Sequence, residues 1–269
     1  MKFLEINAKP GRAASLLLAA SPFVLVIAVY LVTAHLRHQE NPQDKLVPTL
    51  SAMTDGFKST AFEEDRKGQY RLLVDTIASG RRFLISVALM SVAVLIGLHM
   101  GLLPYVEKLL LRFVAFFDKI PALALLPILF IVFGLGEVSK IALIVIGVFP
   151  TITLDTYLRA KAVPREQITK GLTLGASDFE VAYYIVLPQI LPGVLDTIRL
   201  NFKAVILFLI AGESLAATVG LGYRIFVVRR YLAMDIIIPY VLWMSLLAFF
   251  ADLAVRRYIE RRFHWSVGR

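Results

Sequence analysis

The sequence predicts an all-α membrane protein with six transmembrane helices, on three observations. Its 269 residues are 58% hydrophobic, with a mean hydropathy of +0.73, far more apolar than a soluble domain of this length. Its apolar residues gather into six runs, against the roughly 20 residues needed to cross a bilayer. Fifteen of the 29 Lys and Arg fall in the tails and loops that an even number of spans places with the termini, against 12 on the other side; positive charge counts mainly in short loops close to span ends, and on that weighting the termini lie inside.

The spans are expected in order. Residues 1–13 form a tail with Lys2, Lys9 and Arg12 before the first span, Ala14–His35. That run is too long for a signal-peptide core and lacks a small-residue cleavage site, so it reads as retained. Residues 36–82 form an outer segment in which Pro48, Leu50, Met53 and Phe57 recur at near-helical spacing, the pattern of an amphipathic helix. The cluster Glu63-Glu64-Asp65-Arg66-Lys67 reads as solvated surface. Span two is Phe83–Leu103, with Gly97-x-x-x-Gly101 allowing close packing within the chain. Span three, Pro121–Leu135, is short, carries Pro127, and is either extended backwards or broken. The Gly134-Leu135-Gly136-Glu137 turn leads into span four, Val138–Leu158. Spans five and six are Val194–Ala216 and Asp235–Val255, and residues 259–269 form a basic, aromatic inner tail.

The long polar stretch 159–193 interrupts this pattern and is dense in structural punctuation. Pro164 suits a helix start. Arg165–Leu174 is expected as a short helix that stops at Gly175, where a left-handed conformation costs little. Ser177 and Glu180 make a capping box that opens a second helix. Leu187-Pro188 is expected to end it, and Pro192-Gly193 to break the chain again. Two short helices around a glycine bend make a compact knob between spans four and five.

Several chemistries are excluded. With no cysteine there is no disulfide, thiolate metal site or Cys nucleophile. His35 and His38 form an interfacial pair rather than a metal site. No G-x-x-x-x-G-K-[ST] phosphate loop, H-E-x-x-H or G-x-S-x-G pattern occurs. The net charge of +9 reads as basic inner loops, not a nucleic-acid footprint. What remains are polar residues inside spans, which are costly in lipid and face a cavity or a partner. Asp196 and Arg199 are placed to pair at i,i+3, and Asp252 and Arg256 at i,i+4. Asp155 ends span four, where it can fix the knob. Lys203, Asn201 and Glu213 are the candidates for a pathway or gate. Lys203 has the alternative of snorkelling to lipid phosphates, and Glu213 that of holding an outer loop.

The knob also carries a resemblance. Gly175, Ile185, Leu187 and Pro188 match the frame E-A-A-x3-G-x9-I-x-L-P, with LGAS at Leu174–Ser177 and VLPQILPG at Val186–Gly193 around it. This resembles the EAA loop of the membrane subunits of binding-protein-dependent ABC importers. The triplet positions hold Thr169, Lys170 and Gly171 instead. FGLGE with Ser139-Lys140, Glu213 with Gly220-Leu221-Gly222-Tyr223, and the aromatic basic C-terminus resemble the nitrate/sulfonate/taurine branch. Asn41–Pro48, NPQDKLVP, resembles members found near urea- or guanidine-metabolising enzymes.

The resemblance implies a type I importer permease fold over residues 75–258, as an inner-membrane subunit of a bacterial cell with both termini cytoplasmic. It implies a homodimer in lipid, a cytoplasmic ATP-binding subunit dimer that carries the ATP and Mg, and a periplasmic substrate-binding protein. This chain itself then needs no cofactor and is no enzyme. In the knob, Thr169, Lys170, Gly171, Leu172 and Leu174 would supply contact surface to the ATPase, continuing into Ala176 and Ser177. Gly175 would set the bend and Pro188 the end. The cargo class implied is a small polar solute or ion: nitrate, a sulfonate or taurine, with guanidinium or urea as further members. The competing reading is a self-sufficient secondary transporter or channel, which calls for inverted repeats or broken helices around a midplane site; no convincing repeat is found.

Overall fold

The computed structural model describes residues 11–41, 44–65 and 68–266. Most of the first tail, part of NPQDKLVP, Arg66-Lys67 and the last three residues therefore lie outside the described residues. The chain is a helical bundle of α1 (Arg12–Glu40), α2 (Leu50–Ala61), α3 (Arg71–Leu102), α4 (Pro104–Phe117), α5 (Leu126–Phe133) and α6 (Glu137–Lys161) in its first part. There follow α7 (Arg165–Thr173), α8 (Asp178–Glu180), a π-helical turn (Val181–Val186), α9 (Leu187–Leu200), α10 (Phe202–Ala216), α11 (Leu221–Val228) and α12 (Met234–Arg262).

Among the described residues α1, α3, α6 and α12 are each long and apolar enough to cross a membrane. Two bent pairs raise the number to six. One is α4 with residues 122–133, bent by 83°, and the other is the run from α8 to α10 with residues 221–231, bent by 56°.

The core is built on α3 and α6. Gly97 and Gly101 lie one turn apart on α3, and a methyl group on either would collide with α6, at Thr153 and Thr156 and at Ala160. The glycines thus let two backbones meet without side chains between them. Around this seam Met90, Leu98, Ile144, Val148, Ile152, Val186, Val194 and Val205 form one buried cluster. α1 stands apart: its only buried residue is Ala34. Tyr30 reaches from α1 to donate to the Pro48 carbonyl at 2.6 Å. α2 lies on the start of α12, with Gly56 against the Asp235 carbonyl and Phe57 against Trp243.

The structure differs from the sequence expectations in four places. Span two starts at Arg71, so 71–82, expected in the outer segment, is helical and largely packed. Residues 104–117, expected as a loop, form α4, whose Glu107 accepts from the Tyr157 hydroxyl at 2.7 Å. The segment 218–234 is no simple loop, because α11 folds back to bury Leu221 and Gly222. Pro188 and Pro192 break nothing: Pro188 sits in the first turn of α9 and Pro192 inside it.

Candidate coupling site

The knob begins where α6 ends. Val163 is buried, and Pro164 occupies the position before α7, where a fixed φ favours a helix start. α7 stops in a Schellman motif. The Ala176 N–H donates to the Gly171 carbonyl at 3.1 Å and the Gly175 N–H to the Leu172 carbonyl at 3.0 Å. Gly175 holds φ at +91°, a conformation that side-chain-bearing residues rarely adopt. Two residues later the capping box is complete. The Glu180 N–H donates to the Ser177 hydroxyl at 3.3 Å, and the Ser177 N–H donates to the Glu180 carboxylate at 2.8 Å.

The π-helical turn explains why Pro188 does not end the helix. Proline has no N–H for the carbonyl four residues back and its ring crowds that group. The chain widens instead, with the Leu187 N–H bonding the Ala182 carbonyl, and the Gln189 side chain donates to the Ile185 carbonyl at 2.7 Å. The widened turn makes room for the ring, and the helical run continues from α8 to α10.

Two contacts make the knob a stiff extension of the bundle. Gly171 is buried, and a Cβ there would lie 2.6 Å from the Ile185 side chain, so α7 rests directly on the π-helical turn. Gly171 is therefore a spacer within the knob and not part of its contact surface. Arg159, at the end of α6, donates to Asp155 at 2.7 Å and to the Thr197 hydroxyl of α9 at 3.1 Å, its guanidinium lying over Gly193. The knob is thus clamped between α6 and α9.

Its outer surface is unusual for a polar segment. Leu174 is 79% exposed, Tyr184 74% and Phe179 62%. Leu172, Thr169, Lys170 and Ser177 are exposed with them, and Ala176 is half-buried. Three large apolar side chains are thus left uncovered within one short segment.

At the far end of α6 the chemistry is inverted. Asp75, Ser79 and Arg82 share one face of α3 at helical spacing. Arg82 forks onto both oxygens of Glu137 at 2.6 and 2.7 Å, and donates to Glu213 at 2.6 Å and to the Val219 carbonyl at 3.0 Å. Lys140 also donates to Glu137, at 2.9 Å. Glu213 accepts further from Ser79 at 2.7 Å and from the Gly222 N–H at 2.8 Å. Asp75 accepts from the Gly220 N–H at 2.9 Å, Arg224 at 2.8 Å and the Tyr240 hydroxyl at 3.2 Å. Gly220, at φ +139°, lies where a Cβ would strike the Glu213 carboxylate. Three acids meet three bases, and the ends of α3, α6, α10, α11 and α12 are tied together.

The pathway candidates separate accordingly. Glu213 is fully buried in this network, so it holds the 218–222 segment and lines no open gate. Asn201, at the junction of α9 and α10, turns its amide back onto the Thr197 carbonyl at 2.8 Å. Lys203 is exposed and makes no hydrogen bond or ion pair with the described residues. Asp196 pairs with Arg199 at 3.0 Å as expected, but Asp252 also pairs with Arg199, at 2.9 Å, while Arg256 turns to Glu260. Arg199 reaches across to α12 because α9 and α12 pack together, a neighbour that local spacing does not reveal.

A helical bundle with about six candidate spans and a capped, apolar-tipped lever between the fourth and fifth defines a membrane component of a transport system. The chain belongs to the family described as binding-protein-dependent transport system inner membrane component, whose model matches residues 91–264. It is 32% identical to the taurine transport system permease protein of Escherichia coli over 63% of this chain, which spans 62% of that protein's length. It is also 32% identical to a putative ABC transporter permease of Methanocaldococcus jannaschii, over 74% of this chain and 75% of that one. A putative aliphatic sulfonates transport permease of Escherichia coli is 26% identical over 60% of this chain and 61% of its own length. In fold the chain is similar to a chain of the inward-facing MetNI methionine ABC transporter, with a TM-score of 0.63 at 15% identity, covering 73% of this chain and 98% of that one.

Proposed function

We propose that this chain is the membrane-spanning subunit of an ATP-driven, binding-protein-dependent importer for a small polar solute or ion of the taurine and sulfonate class. The observation that carries the reading is the lever itself: a stiff knob clamped to α6 and α9, with Leu174, Phe179 and Tyr184 uncovered. Two copies form the pathway. Two ATP-binding subunits, which hold the ATP and Mg, receive the knobs at the cytoplasmic face, where both termini also lie. A periplasmic protein delivers cargo at the other end. Closure of the ATPase dimer moves the two knobs, and the bundles rock as rigid bodies about their interface. This chain performs no chemistry of its own.

The test is reconstitution. Proteoliposomes containing this chain alone are expected to take up no taurine. Those with the ATPase subunits inside and the binding protein outside are expected to take it up only with ATP. Transport by the chain alone would replace this reading with that of a self-sufficient secondary transporter or channel.

A further inference from the structure

We infer that the exposed face of α10 around Lys203 lines the water-filled route and that Lys203 makes this route attract anions. The inference rests on the transport reading above. Lys203 lies thirteen residues inward of Ala216 within the unbroken α10, roughly 20 Å along the axis and so inside the hydrocarbon zone of about 30 Å. A cation at that depth needs a partner, water or a long reach to the interface. The basic residues packed within the bundle have partners. Arg82, Lys140 and Arg224 are held in the network near the start of α6, and Arg159 and Arg199 are paired near the knob. Lys203 has none.

Its neighbours show which way it faces. Val205 and Leu209 turn into the main core and Phe202 packs on Phe83 of α3. Ile206 and Ile210 pack towards α11 and α12, and Phe208 and Ala211 towards α5 and α6. The face left over carries Leu200, Lys203 and Leu207, all exposed. One turn inward of Lys203, Arg199 is shared by Asp196 and Asp252, a group with one net negative charge. The positive potential of Lys203 is therefore partly offset at Leu200 and fuller at Leu207. Such a route favours a sulfonate or nitrate over a guanidinium ion.

The chain has no cysteine, so in single Leu207→Cys and Leu200→Cys variants, with labelling read on this chain after it is separated from its partners, the introduced thiol is the one that reports. In nucleotide-free membrane vesicles holding the whole complex, both are expected to react with small water-soluble methanethiosulfonates. Anionic (sulfonatoethyl) and cationic (trimethylammonioethyl) reagents are compared as a rate ratio. Adding Lys203→Gln should lower the anion-to-cation ratio at position 207 by at least about 5-fold, the effect of one charge at about 8 Å in bulk water acting oppositely on the two probes. The fall at position 200 should be smaller, and Lys203→Arg should preserve both ratios. Cysteines that react only with a membrane-permeant maleimide would put this face in lipid and overturn the inference. A ratio unmoved by Lys203→Gln would overturn the electrostatic role. Neither result touches the transport reading, which stands or falls on ATP-dependent uptake by the unsubstituted complex.

Discussion

The two ends of α6 solve opposite problems. At its start, charged side chains that water would readily solvate are removed from it and matched to each other, so that Glu213 and Arg82 are almost wholly enclosed. At its end, apolar side chains that a core would readily accept are left uncovered on the knob. A matched network, enclosed except at Glu137, can hold five helix ends in one arrangement. An uncovered apolar patch contributes nothing to the fold of the isolated chain, and it is stabilised only when something covers it. The contrast divides the molecule into an end whose polar groups are matched internally and an end that, on the function proposed above, is completed by a partner's surface.

The sharpest way to break this contrast is at the complete end. Arg82→Ala leaves Glu213 and Glu137 without their shared partner. Removing one member of a buried pair costs roughly 3–5 kcal/mol, so the thermal midpoint of the detergent-solubilised protein should fall steeply. Replacing both Arg82 and Glu213 by apolar residues of similar volume should recover much of that loss, because the desolvation of both charges is then avoided. If the network only holds the fold, the double variant should also keep most of its ATP-driven uptake. A stable double variant without uptake would show that this end moves during transport and that the division drawn above is wrong.

What could be read from the sequence follows the same division. The knob was legible because its signals are local. The glycine at 175, the serine and glutamate three apart, and the proline at 164 each act on their own turn, and each appears where expected. Pro188 and Pro192 misled for a related reason. A proline's local meaning assumes that the helix before it keeps its ordinary pitch, and here the run before Pro188 widens into a π-helical turn that makes room for the ring. The network was not legible, since its partners lie far apart in the chain. Ser79 and Glu213 are separated by 134 positions, and Arg82 and Glu137 by 55. One signal was available: Asp75, Ser79 and Arg82 repeat at the spacing of a helix face just ahead of an apolar run, which marks a buried polar stripe better than an outer loop.

At the waiting end the larger effect is expected from Gly175→Val. The left-handed conformation costs a β-branched residue about 1–3 kcal/mol, enough to undo the Schellman motif that aims α7. Because the Gly175 position is exposed and away from the core, insertion and the thermal midpoint of the bundle should change little. ATP hydrolysis by the assembled complex should continue while uptake falls by an order of magnitude or more. Unchanged uptake would detach the bend from the coupling role proposed for it.

A finer cut tests whether stiffness alone matters. Ser177→Ala removes one half of the capping box and leaves Gly175 and the apolar tip intact. An N-cap of this kind is worth about 0.5–2 kcal/mol, so the first turn of α8 should fray without displacing the knob. The expected result is a two- to five-fold loss of uptake per ATP hydrolysed, with a smaller loss of ATPase binding. Binding should be largely kept because Leu174 and Tyr184 lie outside the fraying turn, and of the three exposed apolar residues only Phe179 lies within it. A loss of binding equal to the loss of uptake would mean that Phe179, in that turn, carries most of the docking, and that the lever and the surface it presents cannot be separated.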